Sequence, residues 1–332
     1  MQLTFIHYFI IIAYAVLQVI LGPVCYRIAK TKGANPIKWL ILGWLTGLFG
    51  LLFLTEDRRV VFLLIALAVV IPMVFRLPGI VATSPIVKAI FDKIESLPEG
   101  SKVLLSYDYG PATVPENQPM ADALCRSVLV KNHKLYIMAV WATGERQAQL
   151  TIDSVIVKEF PQKVYGKDYI HWGYKAGNQG LINAMYQSIK GMYTTDVRGA
   201  PINSFPIMEG VENLRNMDLI LCVGSGKPGI KEWIQFAGDR GNIPIAGGVT
   251  AVEATLLYPY YPRQLLGLMG GLQGAAEFEK ALVDRYPHFL ATSTRAVRNM
   301  GPQTIAHLVI IVLILVGNAI FFATRKKQVS KG

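Results

Sequence analysis

The sequence predicts a membrane-anchored α/β protein: a doubly wound, mostly parallel sheet of about five strands, tethered by four transmembrane helices. Three observations carry that expectation. Apolar stretches at 4–22, 37–54, 60–75 and 305–323 each approach the roughly 20 residues a helix needs to cross a bilayer core of about 30 Å. Residues 83–300 have ordinary globular composition, and short apolar runs there alternate with amphipathic ones. Nearly every such run ends in glycine and small polar residues, as strands do where they turn into helices. The layout is then three N-terminal spans within 1–82, an α/β domain over 83–300, and a last span with a basic tail over 301–332.

The first stretch, TFIHYFIIIAYAVLQVILG, is uncharged. It lacks the positive leader and small-residue cleavage site of a signal peptide, so it reads as a retained helix. The second carries Gly43, Gly47 and Gly50, a spacing that lets helix backbones approach closely, most simply against the first or third span. Chance glycine spacing remains the competing reading. TEDRR, between the second and third stretches, is short enough to force an antiparallel hairpin.

Charge sets the orientation. Four spans put the basic loop 23–38 and the tail Arg325, Lys326, Lys327 on opposite sides, so one of them opposes the positive-inside rule. The first helix usually dominates, and Arg76, Lys88, Lys93, Arg285, Arg295 and Arg298 flank the domain. Both favour a cytoplasmic domain. The formal charge of +11 is no nucleic-acid signal, because residues 83–300 hold 22 Lys/Arg against 20 Asp/Glu. The surplus sits beside the spans, where it meets lipid headgroups. Cys25, Cys125 and Cys222 are far apart, and the five histidines are scattered, so neither a disulfide framework nor a metal site is indicated.

Within the domain, SPIVKAIFDKIESL reads as a helix and KVLLSYDYG (102–110) as the first strand. A helix over 116–132, a strand over 134–144 and a helix over 145–160 follow. DYIHWGYKAGNQG (168–180) is a third strand running into a glycine turn, and LINAMYQSIKGMY a helix. MDLILCVGSG (217–226) and NIPIAGGVT (242–250) are the fourth and fifth strands, and 264–284 one long helix. LYPYYPRQ (257–264) reads as a stiff extended segment.

In such sheets ligands bind beyond the carboxyl ends of the strands. The candidates there are Asp108, Tyr109 and Gly110 after the first strand and Thr143 after the second. Lys175, Gly177 and Asn178 follow the third, Gly224, Ser225 and Gly226 the fourth, and Gly247, Gly248 and Thr250 belong to the fifth. Glycine permits close approach to backbone amides, and the following helix N-terminus suits an anion. Equally, such turns need Gly, Ser and Asn for their own geometry. Asp108 could orient a ligand hydroxyl, bind a cation, act as a base, or bond neighbouring amides. Glu116, Glu145 and Glu253 begin helices, where acidic residues favour the dipole. Walker, nucleophile-elbow and HExxH patterns are absent from the sequence. Gly267, Gly270, Gly271 and Gly274 in one helix would cost about 1 kcal/mol each. That cost implies close packing of this helix on the sheet or on another copy, and motivates a homo-oligomer.

VLLSYDYGPAT, PMADALCRSVL with LYIMAVWATG, GYKAG, and AGGVTAVEA with YYPRQLLGLMGGLQGAAEFE together resemble a family of membrane-anchored prokaryotic proteins of uncharacterised function. The resemblance covers roughly residues 85–284. It implies a Rossmann-like domain on a prokaryotic inner or plasma membrane, and no activity or cofactor. The expected function is a scaffold or sensory module that takes a small anionic ligand or a protein partner and self-associates. A membrane-bound transferase or hydrolase acting on a nucleotide or lipid-linked substrate, centred on Asp108 and Lys175, is the alternative.

Overall fold

The computed structural model describes residues 19–46, 58–75, 77, 79 and 81–329. Two compact units divide the chain: Ile80–Met300, and the flanking Met1–Gly79 with Gly301–Gly332.

In the flanking unit, α1 (residues 19–31) is followed by α2 (Pro36–Thr46) and α3 (Arg58–Val74). Asn35 starts α2 by accepting the Ile37 and Lys38 amides at 3.1 and 3.2 Å, an ordinary N-cap. A Cβ on Gly43 would lie 2.9 Å from Cys25 Sγ and 3.1 Å from Gly22 Cα. Gly43 therefore gives α2 its close approach to α1. Gly47 and Gly50 fall outside the described residues, as do most of 4–22 and the end of 37–54.

The other unit starts with α4 (Pro85–Ser96), which buries Val87, Ile90, Phe91 and Ile94 at helical spacing. Six strands follow, in the order β1 Lys102–Asp108, β2 Lys134–Ala139, β3 Tyr169–Tyr174, β4 Leu219–Gly224, β5 Ile245–Val249 and β6 Gly267–Gly270. All pair in parallel, in the spatial order β3-β2-β1-β4-β5-β6. Both faces are covered: Val103, Leu105 and Tyr107 enter one apolar layer, and Leu104 enters the other. That two-sided burial is why the strands read as almost unbroken apolar runs.

The connecting helices are α5 (Val114–Val130), α6 (Ala142–Thr151, continued through a π turn at Ile152–Ile156), α7 (Asn178–Gln187) and α8 (Ile230–Trp233, with a π turn at Ile234–Gly238). Next come α9 (Ala251–Leu257), α10 (Gly271–Arg285) and α11 (Arg295–Val329).

Two expectations need correction. The long helix expected over 264–284 is a sixth strand, β6, followed by α10. Its glycines are explained inside the chain. A Cβ on Gly267 would lie 2.5 Å from Ile90 Cγ1, Gly271 has φ +59°, and a Cβ on Gly274 would meet the Met269 backbone at 2.7 Å. They let β6 lie against α4 and let α10 fold back on β6, so they give no ground for a second copy. The segment 257–264 is also not extended. Tyr258–Tyr260 forms a helical turn, and the Tyr261–Pro262 peptide is cis.

Among the described residues, one helical segment, Arg295–Asn318, is long and apolar enough to cross a membrane, with 24 residues and mean hydropathy 2.0 over its most apolar 18. α3 is apolar but has 17 residues. The start of α11 is fixed from α10: Glu279 Oε2 accepts the Ala296 and Val297 amides at 2.8 and 3.1 Å.

Candidate functional site

The strand order reverses between β1 and β4, so the connections from these strands leave in opposite directions and open a crevice at their carboxyl ends. The two strands are in register there, Asp108 opposite Gly224. What the sequence places around that point decides the chemistry.

Asp108 is fully buried. Its Oδ1 accepts Ser106 Oγ at 2.6 Å and the Val140 amide at 3.1 Å; its Oδ2 accepts Trp233 Nε1 at 2.9 Å and Cys222 Sγ at 3.1 Å. Burial pushes its carboxyl above the usual range, and the four hydrogen bonds oppose that rise. Burial, and after it the same carboxylate, holds the Cys222 thiol well above its ordinary value and so unreactive. Asp108 ties β1, β2, β4 and α8 together at the switch point. It is a positioning group, with each oxygen already engaged twice.

The remaining expected residues sort by depth. Tyr109 turns into the core and donates to Gln118 Oε1 at 2.9 Å. Gly110 and Thr143 meet where the β1 and β2 turns touch: a Cβ on Gly110 would be 3.4 Å from Thr143 Oγ1, which donates to Tyr109 O at 3.3 Å. Ser225 donates its amide to Asp108 O at 3.1 Å. Gly226 (φ +159°) passes under the Trp141 ring, 3.3 Å from where its Cβ would be. Trp141 in turn donates Nε1 to Pro228 O at 2.8 Å, bridging the β2 and β4 turns. Thr250 is half-exposed at the head of α9. Gly247 and Gly248, by contrast, lie inside β5, below the rim. A side chain on Gly247 would run into the Cys222 carbonyl, and one on Gly248 into Met120. Their role is close strand and helix packing.

At β3, Gly177 and Asn178 are exposed, and their positive φ values of +143° and +48° shape the turn into α7. Lys175 is half-buried, with Nζ 5.7 Å from the centre of the Tyr193 ring. That ring packs on Trp172, 5.6 Å between centres. Tyr193 Oη and Trp172 Nε1 are both buried, and neither has a partner among the described residues. Burial first, then the Asp108 and Glu145 carboxylates, raise the Tyr193 phenol, so it stays protonated and is a donor. Buried Tyr and Trp normally find partners, which makes this pair conspicuous beside a cation.

The glutamates do more than complement helix dipoles. Glu145 Oε2 accepts the Tyr174 amide at 2.7 Å, Glu232 Oε2 the Gly229 amide at 2.8 Å, and Glu116 Oε2 the Ala251 amide at 3.0 Å. Three of the amides that glycine-rich turns would present to an anion are thus engaged by the chain's own carboxylates.

Sequence reasoning missed Asn117, Trp141, Trp172 and Tyr193. A tryptophan inside an otherwise apolar strand, as in YIHWGY, was the available signal for Trp172. No protein-family model matches the chain, and no curated protein matches it. Among the described residues, no group of three or more His, Cys, Asp or Glu is placed to hold a metal ion.

Proposed function

We propose that this chain is a membrane-anchored binding module whose α/β domain takes a small anionic ligand on the β2–β3 side of the crevice. One observation carries this reading: two buried donors, Trp172 Nε1 and Tyr193 Oη, lie unpaired in packed rings, and Lys175 Nζ lies 5.7 Å from the centre of the Tyr193 ring. An unsatisfied buried donor costs about 1–3 kcal/mol. A carboxylate or phosphate oxygen arriving beside Lys175 would remove that cost and gain charge-assisted hydrogen bonds.

The wider reading goes with it. Four spans anchor the chain in a prokaryotic inner or plasma membrane, with the domain in the cytoplasm. The apolar character of α2, α3 and Arg295–Asn318 supports spanning. For self-association the support moves from the glycines to exposed Val252, Leu256 and Tyr258. A transferase or hydrolase centred on Asp108 has less support, because both its carboxylate oxygens are engaged.

The test is thermal unfolding of the intact protein in detergent against inorganic phosphate, sugar phosphates, nucleotides and di- and tricarboxylates. A true ligand at about 100 times its dissociation constant adds about 2.7 kcal/mol. Lys175→Ala should abolish the response. If none of these anions shifts unfolding, the anion site is wrong and a protein partner becomes the reading.

A further inference from the structure

The opposite side of the crevice has the complementary chemistry. Asn117, in the first turn of α5, donates Nδ2 to Gly224 O at 2.6 Å. That bond fixes which end of the amide is which, since a carbonyl can only accept. The other end, Oδ1, is therefore an acceptor. It is completely buried and has no partner among the described residues. On α9, Glu253 Oε2 is likewise buried and unpaired. The two side chains flank one pair of glycines. A Cβ built on Gly224 would lie 3.7 Å from Gly229 Cα, and one on Gly229 would lie 3.9 Å from Glu253 Oε1. The neighbouring carboxylates are already committed: Glu116 to the Ala251 amide and Glu232 to the Gly229 amide.

We infer that Asn117 and Glu253, across the Gly224–Gly229 turn, form a binding site for an organic ammonium group. A primary ammonium has three donors and no acceptor, which matches a corner whose open valences are an amide oxygen and a carboxylate oxygen. An anion is excluded by Glu232 and Glu253 together. A hard divalent cation needs six or more oxygen ligands or several waters, and the carboxylates here that could supply them are engaged elsewhere. Burial, with Glu232 beside it, raises the Glu253 carboxyl to about 7. A cation bound at this corner would relieve both effects and draw the carboxyl into its ionised form. The charged group that acts on it is Glu232, from α8. This site stands apart from the Lys175 site and rests on different residues.

The experiment uses the intact protein in detergent, titrated with putrescine, with potassium chloride at matched ionic strength and magnesium chloride as controls. Putrescine should raise the unfolding midpoint above both salts. Glu253→Gln, which keeps the shape and removes the charge, should weaken putrescine binding by about tenfold, the scale of one charge-assisted hydrogen bond. Glu253→Asp, which keeps the charge, should retain more of it, and serves if Glu253→Gln unfolds. Lys175→Ala should leave putrescine binding unchanged, which separates this site from the anion site. An equal response to all three salts, unchanged putrescine binding in Glu253→Gln, or preferential stabilisation by magnesium would each overturn the inference.

Discussion

The two sides of the crevice differ in what they leave unpaired. Over β2 and β3 the open groups include two donors, Trp172 Nε1 and Tyr193 Oη, in the ring pair that Lys175 approaches, together with Gln147 Oε1 and the His171 ring nitrogens. Over β4 and β5 they are acceptors, Asn117 Oδ1 and Glu253 Oε2. Between them Asp108, the most conspicuous residue in the sequence, leaves nothing open. At the crevice, a buried polar group with all its partners holds the fold, and one without them is open to a ligand. The comparison separates the two roles without reference to residue type.

Substitutions can break or sharpen this contrast. The largest effect is expected at the centre. Asp108→Asn should cost about 3 kcal/mol of stability, because at least one amide hydrogen would face groups that can only donate. Denaturant unfolding measures it; an unchanged midpoint would mean that the four hydrogen bonds are not what joins β1, β2, β4 and α8. On the donor side the sign reverses. Tyr193→Phe removes an unpaired buried donor and keeps the ring, so the ligand-free protein should be as stable as before, or more stable by about 1 kcal/mol, whereas Trp172→Phe also opens a cavity that offsets the gain. Anion binding should weaken in both variants.

Acidity probes the acceptor side. Glu253 and Glu279 are both raised from 4.5 to about 7, chiefly by burial. The folded protein therefore holds more protons than the unfolded chain between these values. Stability contributed by these groups should fall as pH rises from 4.5 to 7 and level off above 7. Glu279→Gln should flatten part of that slope, and because Glu279 caps α11, a pH series of unfolding midpoints also reports on that attachment. The smallest effect is expected at Gly226→Ala. There a Cβ would press on the Trp141 ring from 3.3 Å at φ +159°, which should cost about 1 kcal/mol and show as altered Trp fluorescence.

Much of the sheet was legible because five of its strands are apolar runs that both faces of a parallel sheet demand. β6 was hidden by its length: four residues, GLMG, run directly into a helix with matching apolar spacing. The glycines misled in two directions. Gly247 and Gly248 look like rim residues yet lie within β5, and Gly267 to Gly274 look like a helix seam yet serve an edge strand and a sharp turn. The carboxyl edge as the place to look followed from the alternation of strands and helices, whereas the crevice between β1 and β4 needed the strand order. Its chemistry did not, because the partners of Asp108 come from positions 106, 140, 222 and 233. No local pattern shows that these meet, and none shows that Trp172 and Tyr193 go without partners.

The most direct measurement is the stability of ligand-free Tyr193→Phe beside wild type, followed by the response of each to the anion panel. Equal or greater stability with a weakened response is the expected result, since the hydroxyl would then be idle in the fold and engaged only by ligand. A loss of 1 kcal/mol or so with an undiminished response would place that hydroxyl among the groups that hold the fold, and the Lys175 side would no longer be a binding site.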